Sequence, residues 1–290
     1  MITFSQLGML GRLGNQLYQY ATAKSVAIKT GNVLKIPDPD HMSWHGQKCL
    51  LKNFKIECEY LELSEYNDIQ ARFVEPDHMK WYPDIFNVPP NTDLYGFFQS
   101  IYYFQNIEEQ IRKEFRLLDH LEQEAEEYVN RLKEDGSELV SVHVRRGDNT
   151  DGTNPELGHY YGENDIFTWD SIFGRYFKEA KTKFKSKKVK YLIFTGGSRG
   201  QVGNEKDIEW CKNNINGENI LYCEGKDDIM DFAIMKACDH NITCHNTSFG
   251  WWAAYLNDNK EKIVVAPKNY FVDNPDAHRE GQTPEDWHLI

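Results

Sequence analysis

Short apolar runs alternate with segments of helical periodicity through the second half of the chain. Each run is bounded by polar or turn-forming residues, as is typical of buried strands. Between the runs, apolar residues recur at helical spacing, which predicts amphipathic helices. The predicted strands are one that begins at Glu138 and ends in the polar residues before Asp148, then 189–195, 220–223, a run beginning at Asn241, and 262–267; the predicted helices are 168–185, one beginning at Ile208, 227–237 and one beginning near Ser248. Strands that alternate with helices predict a parallel sheet in an α/β fold.

The start of the chain shows the same alternation. Residues 2–7 predict a strand, a loop punctuated by glycines follows, and helical spacing then continues to Thr30. Gly31 and Asn32 are expected to end this helix, and 33–37 predicts the next strand. The pattern is weaker from 38 to about 105. The later predicted elements are a strand at 94–100 and helices at 102–115 and 119–134.

The length of the chain predicts two domains. A chain of 290 residues is too long for one ordinary core. The turn-forming sequence Asp135-Gly136-Ser137 marks a boundary, so we expect one lobe at 1–135 and a second at 136–290, with a cleft between them. The segment around Trp287 is expected to be a short helix or tail that packs back on the first lobe.

Charge and cysteine usage narrow the class of protein. The net charge of -12 opposes binding to nucleic acid, whose phosphates an acidic body repels. The six cysteines have neither the density of a disulfide framework nor zinc-finger spacing, which predicts reduced thiols and a cytoplasmic location. We expect no secretory signal and no transmembrane segment, and a peripheral association with a membrane stays open.

The segment from Glu138 to Asp148 holds the main candidate chemistry. Its apolar strand ends in His143, Arg145, Arg146 and Asp148, beside Gly147. Polar groups at the end of such a strand are typical of ligand sites in open α/β sheets. Two adjacent arginines favour a shared anion, and their donors fit phosphate oxygens. We therefore predict a phosphate-bearing ligand; the alternative is a pair of surface arginines on an edge strand.

Two other segments could hold phosphate. The first is the loop and helix start from Gly8 to Gln16, although its spacing departs from the dinucleotide fingerprint GxGxxG and the alternative is a tight turn without a ligand. The second is the turn before the helix near Ser248, whose hydroxyl is expected to cap that helix while the free amides face an anion.

No metal site is predicted. Asp38-Pro39-Asp40 matches a DxD motif, but a proline between two aspartates after a strand favours a turn. The cysteines and histidines between 238 and 245 match no common zinc spacing, so Cys238 and Cys244 are interpreted as core residues.

Three motifs together resemble those of one enzyme family. Gly11-Arg12-Leu13-Gly14-Asn15-Gln16, His143-Val144-Arg145-Arg146-Gly147-Asp148 and Asn246-Thr247-Ser248-Phe249-Gly250-Trp251-Trp252-Ala253 are similar to the signatures of the α-1,2-fucosyltransferases of glycosyltransferase family 11. The resemblance implies an α/β, GT-B-like fold of two Rossmann-like lobes with parallel sheets. It also implies an inverting transfer of L-fucose from GDP-L-fucose to the 2-hydroxyl of a β-galactoside, without a metal or other cofactor.

The resemblance places the acceptor on the first lobe and the GDP-sugar on the second. It implies that Arg145 and Arg146 contact the donor pyrophosphate. The proton acceptor stays open among Asp148, Glu156, His143 and His159, and Asp148 is favoured instead as a residue that orients an arginine. The predicted catalytic residues are Arg145, Arg146, Asp148, His143 and Arg12; the predicted donor-binding residues are Gly14, Asn15, Gln16, Thr195, Asn246, Thr247, Ser248 and Phe249.

Two alternatives remain at this stage. One is another GDP-sugar transferase, such as an O-fucosyltransferase or an α-1,6 enzyme. The other is a non-catalytic protein that binds nucleotide sugars. One departure from the family pattern concerns Gly196-Gly197-Ser198-Arg199, which replaces a Ser-Asp-Asp-like turn and leaves recognition of the guanine or ribose by this loop open.

Overall fold

The chain forms two compact units. The computed structural model describes residues 1–44, 47–150, 160–162, 166–197, 205–269 and 279–290. The first unit contains Met1–Leu118 together with 279–284, and the second contains the described residues from 119 to 269 together with Glu285–Ile290. The chain therefore returns to the first unit near its C-terminal end before its last residues join the second.

A parallel sheet and a long helix organise the first unit. Its strands and helices are β1 (Ile2–Thr3), α1 (Leu13–Thr30), β2 (Leu34–Ile36), the small antiparallel pair β3 (Ser43–Trp44) and β4 (Gln47–Lys48), β5 (Glu59–Tyr60), β6 (Ala71–Val74), β7 (Thr92–Tyr95) and α2 (Glu108–Glu114). The sheet order is β5-β2-β1-β7-β6, and its described strands all pair in parallel. α1 is buried along most of its length and ends at Gly31, which adopts the left-handed conformation with φ of 67°. The predicted end of this helix is thus confirmed.

The second unit has the strand order of the Rossmann fold. Its elements are α3 (Asp119–Leu132), β8 (Glu138–Val144), α4 (Ile172–Ala180), β9 (Val189–Thr195), α5 (Glu205–Asn214), β10 (Ile220–Tyr222), α6 (Asp228–Ala237), β11 (His240–Ile242), α7 (Phe249–Leu256), β12 (Val264–Ala266) and β13 (His288–Leu289). The described strands pair in parallel in the order β10-β9-β8-β11-β12-β13. Numbered within the unit, this is the order 3-2-1-4-5-6. The predicted α/β class with two Rossmann-like parallel sheets is confirmed, while the cleft between the lobes stays a prediction.

The buried centre of the second sheet is the pair β8 and β9. They pair residue by residue from Glu138 opposite Val189 to Val144 opposite Thr195. Apolar side chains of β8, β9 and α4 pack together beneath this pair. β9 has the bounds that its apolar run predicted, and β8 begins at the predicted residue, Glu138.

The units divide the chain at a different place from the predicted boundary. The sequence placed the amphipathic helix at 119–134 in the first lobe, whereas α3 belongs to the second unit. There it packs against α6, and Lys236 pairs with Glu122 at 3.3 Å. The turn at 135–137 therefore connects two elements of one unit.

The prediction for the C-terminal segment is corrected. Trp287 packs against Trp251 of the second unit, with ring centroids 5.6 Å apart, and β13 extends that unit's sheet beside β12. The segment that does join the first unit is 279–284. A two-residue strand carries too little pattern to be identified from the sequence.

The remaining predictions outside the site concern turns, thiols and membranes. Asp38 caps a short 3₁₀ turn by accepting a hydrogen bond from the amide of Asp40, as the turn interpretation expected. All six cysteines lie among the described residues and are free, and Cys238 and Cys244 are buried as expected. Among the described residues, no group of three or more His, Cys, Asp and Glu side chains is arranged to hold a metal ion. None of the described helices combines the length and the apolar character needed to cross a membrane.

One partly buried carboxyl group lies beside α3 and β10. Asp231 is in the first turn of α6, where Asp227 caps the helix by accepting a hydrogen bond from the amide of Met230. Burial raises the pKa of Asp231 to about 7, while the hydrogen bond that it accepts from the Cys223 thiol at 3.2 Å lowers it. The protonated form of this side chain therefore fits the folded state better than the charged form.

The first testable prediction follows from the sign of this shift. The pKa of Asp231 in the folded state is above its ordinary value of 3.8. Protonated Asp231 therefore favours the folded state at low pH, and this contribution to the free energy of unfolding is lost as the pH rises toward 7. Asp231→Asn should therefore gain stability relative to the wild type by up to about 4 kcal/mol between about pH 4 and pH 8. Urea denaturation of both proteins at each pH measures the difference. Glu218→Gln, at an exposed position before β10, controls for loss of one negative charge, and a pH-independent difference for Asp231→Asn would contradict the prediction.

Candidate active site

The candidate site lies where the strand order of the second unit reverses. From β8 the chain continues to β9 on one side of the sheet, whereas from β11 it continues to β12 on the other. Such a reversal leaves a crevice beyond the carboxyl ends of the two strands, where open α/β sheets bind ligands. Residues 145–149 leave β8 at this point and 243–249 leave β11. The predicted second-lobe residues are in or beside these segments, except Thr195, which is buried at the end of the neighbouring strand β9.

Arg145 is held at the end of β8 by three acceptors. Its Nη1 atom donates to the carbonyl of Arg146 at 2.6 Å and to that of Gly196 at 2.9 Å. Its Nη2 atom pairs with the carboxylate of Asp148. The Arg145 side chain is 16% exposed and that of Asp148 is 7% exposed, so the arginine is the more accessible member of the pair. The guanidinium is therefore oriented before any ligand binds.

Arg146 has a different environment. Its guanidinium carbon lies 3.8 Å from the ring centroid of Trp210 and 5.2 Å from that of Tyr161. Its Nε atom donates to Asp207 at 3.2 Å, and the residue is only 4% exposed. Cation–π contacts and an ion pair in so buried a place hold α5 against the loop after β8. The predicted contact of Arg146 with phosphate stays a prediction.

Tyr161, Asp207 and Trp210 are site residues that the sequence did not single out for this role. Tyr161 donates from its hydroxyl to the carbonyl of Arg145, while its ring packs on Trp210 at 5.3 Å. Asp207 and Trp210 lie on α5, far along the chain from the arginines. Only the pairing of β8 with β9 brings these positions together, so no local pattern could reveal them.

His143 is buried beside the turn after β11. Its Nδ1 atom lies 3.5 Å from the Thr247 hydroxyl and 3.7 Å from the Cys244 sulfur. Burial, and secondly the positive charge of Arg145, lower the pKa of His143 to about 3, so the ring is neutral near pH 7. A group with this pKa is a weak proton acceptor. A Cβ atom at position 250 would come within 2.7 Å of Nδ1, which explains the glycine at that position.

The turn after β11 leads directly into α7. Asn246 adopts a left-handed φ of 48°, which Asn tolerates better than most residues, and α7 starts at Phe249, close to the predicted position. The ring of Phe249 packs on His143 with a centroid separation of 5.7 Å. Ser248 is at the N-cap position, but its side chain makes no capping hydrogen bond, so the predicted capping role is wrong. Its backbone at that position is helical, whereas a capping side chain usually goes with extended backbone.

The predicted residues of the first unit surround the glycine loop after β1. Gln16 is buried and bridges that loop to a neighbouring segment, because Nε2 donates to Gly11 and Oε1 accepts from the amide of Leu50. Gly14 is buried in the first turn of α1, and Arg12 is at its N-cap position. Gln16 thus shapes the loop from inside. The predicted contacts of Arg12 and Gly14 with a ligand stay predictions.

Asn15 contacts a segment that the sequence did not connect with this loop. Its Oδ1 atom accepts a hydrogen bond from Gln99, which follows β7. Two candidate proton acceptors lie outside the described residues, namely Glu156 and His159. The same holds for Ser198 and Arg199 of the turn that departs from the family pattern.

Comparison with known proteins gives the class of the chain. The model of glycosyl transferase family 11 matches residues 3–290, so the chain belongs to this family and the predicted resemblance is confirmed. Galactoside alpha-(1,2)-fucosyltransferase 1 of Sus scrofa is 32% identical over 85% of this chain, and the enzyme of the same name from Mico humeralifer is 31% identical over the same share. The chain spans 63% of the length of each of these curated relatives.

Among solved structures, the chain is similar to two fucosyltransferase structures. Fucosyltransferase NodZ from Bradyrhizobium has a TM-score of 0.49 and 14% identity, over 87% of this chain and 91% of NodZ. POFUT1 in complex with GDP has a TM-score of 0.49 and 15% identity, over 91% of this chain and 97% of POFUT1.

The second testable prediction concerns the buried pair of Arg146 and Asp207. Arg146→Met should lower the free energy of unfolding by about 3 kcal/mol, because it leaves the Asp207 carboxylate without its main counter-charge. Adding Asp207→Asn should recover part of the loss, giving a coupling energy of about 0.5–3 kcal/mol in a double-mutant cycle. Urea denaturation of the wild type, both single variants and the double variant measures it. Strictly additive effects would show that the pair does not act as a unit.

Proposed function

We propose that the chain is an inverting fucosyltransferase that moves L-fucose from GDP-L-fucose to the 2-hydroxyl of a terminal β-galactoside. The observation that carries the proposal is the oriented guanidinium of Arg145 at the strand-order reversal, in a chain that the family model matches almost throughout. The names of the relatives support the choice of fucose and of the α-1,2 linkage.

Arg145 is proposed to stabilise the leaving group. When the bond from fucose to GDP breaks, negative charge grows on the β-phosphate. A cation that is already oriented needs no reorganisation as this charge develops, which is the main source of electrostatic catalysis. Asp148 and the carbonyl of Gly196 supply that orientation, and they make Arg145 the catalytic arginine that we favour over Arg146.

The segment from Asn246 to Phe249 is proposed to hold the donor phosphates together with Arg145. Helix α7 begins here, and the first amides of a helix favour an anion because their N–H groups point out of the helix end. Thr247 is buried and lies beside His143. Thr195 is proposed to line the same side of the site from the end of β9.

The acceptor proton is proposed to leave late, in a dissociative transition state with oxocarbenium character on the fucose. In such a reaction the acceptor oxygen needs little activation, so the weakly basic β-phosphate of the departing GDP is sufficient to accept the proton. Of the described candidates, Asp148 already pairs with Arg145 and the pKa of His143 is lowered to about 3. Asp148 is therefore assigned to orienting Arg145 and His143 to supporting the turn after β11.

The proposal extends to partners and location. GDP-fucose and a β-galactoside glycan are the proposed partners, and the net charge of -12 argues against nucleic acid. Six free cysteines support a reducing compartment, so we propose the cytoplasm. Contact with a membrane surface, where glycan acceptors can be carried, is compatible with this location.

The third testable prediction is the activity itself. Incubation with GDP-L-fucose and a β-galactoside should give a product whose NMR spectrum shows an α-linked fucose on the 2-position of galactose. The matched acceptor lacking the 2-hydroxyl should give no product, because the attacking oxygen is missing. GDP-mannose is the control for the donor.

Each other outcome selects another function. Product from the 2-deoxy acceptor, or fucose at another position, would indicate a different fucosyltransferase. Binding of GDP-fucose by calorimetry without transfer to any acceptor would indicate a non-catalytic binding protein. A lack of binding as well would overturn the proposal.

The fourth testable prediction concerns metals. We propose that Arg145 and backbone amides, rather than a divalent cation, offset the charge of the pyrophosphate. The rate of transfer should therefore survive treatment with excess EDTA. EDTA saturated beforehand with Mg²⁺ is the control for effects of the chelator itself. A complete loss that Mg²⁺ restores would overturn the metal-free proposal and reopen the role of the Asp38-Pro39-Asp40 turn.

A further inference from the structure

The strands β1 and β7 are parallel neighbours at the centre of the first unit's sheet, so their carboxyl ends lie side by side. The glycine loop and α1 follow β1, and the segment that contains Gln99 follows β7. The hydrogen bond from Gln99 to Asn15 therefore joins the segments that leave two neighbouring strands, at the edge of the sheet where open α/β folds bind ligands.

The segment after β7 is held in an unusual conformation. Phe98 has a φ of 51°, in the left-handed region that aromatic residues rarely adopt. The carboxylate of Glu75 accepts hydrogen bonds from the amides of Phe97 at 2.7 Å and Phe98 at 3.0 Å, and so fixes this backbone. Strained backbone persists where the surrounding contacts determine it, and such positions cluster at functional sites. Here the result is that Gln99 points toward the start of α1.

The carboxamide of Gln99 lies between an arginine and an asparagine. Its Oε1 atom accepts a hydrogen bond from Nη1 of Arg279, and its Nε2 atom donates to Oδ1 of Asn15. Arg279 is buried, and its Nε atom donates to the carbonyl of His78 at 2.9 Å. Arg279 is the first described residue of the segment 279–284, which belongs to the first unit.

An arginine at this position fixes the orientation of both amides. Because a guanidinium can only donate, Gln99 must turn its oxygen toward Arg279 and its amino group toward Asn15. Asn15 must then turn its oxygen toward Gln99. Its amino group lies over the glycine loop, where a Cβ atom on Gly11 would be 2.2 Å from Asn15 Nδ2.

We propose that Arg279 is a positioning residue, which acts through Gln99 to present the amino group of Asn15 as a hydrogen-bond donor to a ligand oxygen beyond the carboxyl ends of β1 and β7. The inference rests on the proposed transferase function. The ligand oxygen belongs to a phosphate or to a sugar hydroxyl, and both accept from an amide. Without Arg279, both carboxamides can flip together, so that Asn15 donates to Oε1 of Gln99 and turns its own oxygen away from Gln99.

The fifth testable prediction compares substitutions at position 279. Arg279→Met should lower kcat/KM for fucose transfer by at least about tenfold, because the donor orientation of Asn15 is lost. Arg279→Lys should retain most of the activity, since lysine also only donates. Glu280→Ala is the matched control, because its carboxylate ties the same segment to the amide of Trp81 at 3.0 Å. This control should leave kcat/KM unchanged.

A double-mutant cycle separates positioning from a purely structural effect. In an Asn15→Ala background, Arg279→Met should cause no further loss of kcat/KM, because the group that it orients is absent. Melting temperatures of all variants measure the structural effect alone. The KM values for GDP-fucose and for the galactoside, measured separately, identify which substrate supplies the oxygen.

Three results would overturn the inference: unchanged kcat/KM for Arg279→Met, effects of Arg279→Met and Asn15→Ala that multiply independently, or equal loss in Glu280→Ala. A wild-type protein that transfers no fucose would overturn the proposed function instead. In that case the side-chain amide NMR signals of Asn15 and Gln99 decide the inference without substrate. They should change in Arg279→Met and be preserved in Arg279→Lys, and unchanged signals in Arg279→Met would refute the positioning role.

Discussion

The attachment of Arg145 to the carbonyl groups at the ends of two parallel strands is the interaction on which the candidate site depends. The carbonyl of Gly196 is available because β9 runs beside β8 in register through to Thr195, and both strands end together. The sheet thus sets the position of a charge, and the polar loop only completes it. A guanidinium that is fixed by the sheet keeps its position when loops move. Electrostatic stabilisation of a developing negative charge requires a cation that is already in place.

The two neighbouring arginines also show how one short loop can hold two like charges. Each has its own carboxylate: Asp148 pairs with Arg145, and Asp207 pairs with Arg146. The repulsion between the arginines is therefore offset before any anion arrives. The pairing also divides their tasks, since one guanidinium lies near the edge of the site while the other is enclosed by aromatic rings.

Much of the fold could be predicted because the relevant signals are local. The strands β8 and β9 are rich in apolar residues, and the end of α1 is marked by a glycine that can adopt the left-handed conformation. The capping role of Ser248 was wrong because capping depends on the backbone conformation of that one residue, which composition does not specify. The placement of α3 and the stack around Arg146 depend on contacts between distant segments, and a single sequence does not contain them.

Within the site, the residue types pointed to phosphate chemistry, but their partners did not follow from spacing. Asp148 and Arg145 are close in the chain, so an ion pair between them was a reasonable expectation. Trp210 and Arg279 were not identified as partners, since each reaches its site from an element that no motif connects to it. Motifs therefore locate a site more readily than they define the contacts that orient it.

The return of 279–284 to the first unit has a consequence for biosynthesis. The ribosome makes β1, α1 and β7 first, yet the arginine that contacts Gln99 is made only after β8 to β12 of the second unit. During translation the first unit can form its sheet early, but this part of it must wait until most of the second unit has been synthesised. The first unit therefore cannot be completed during translation until most of the second unit has been synthesised.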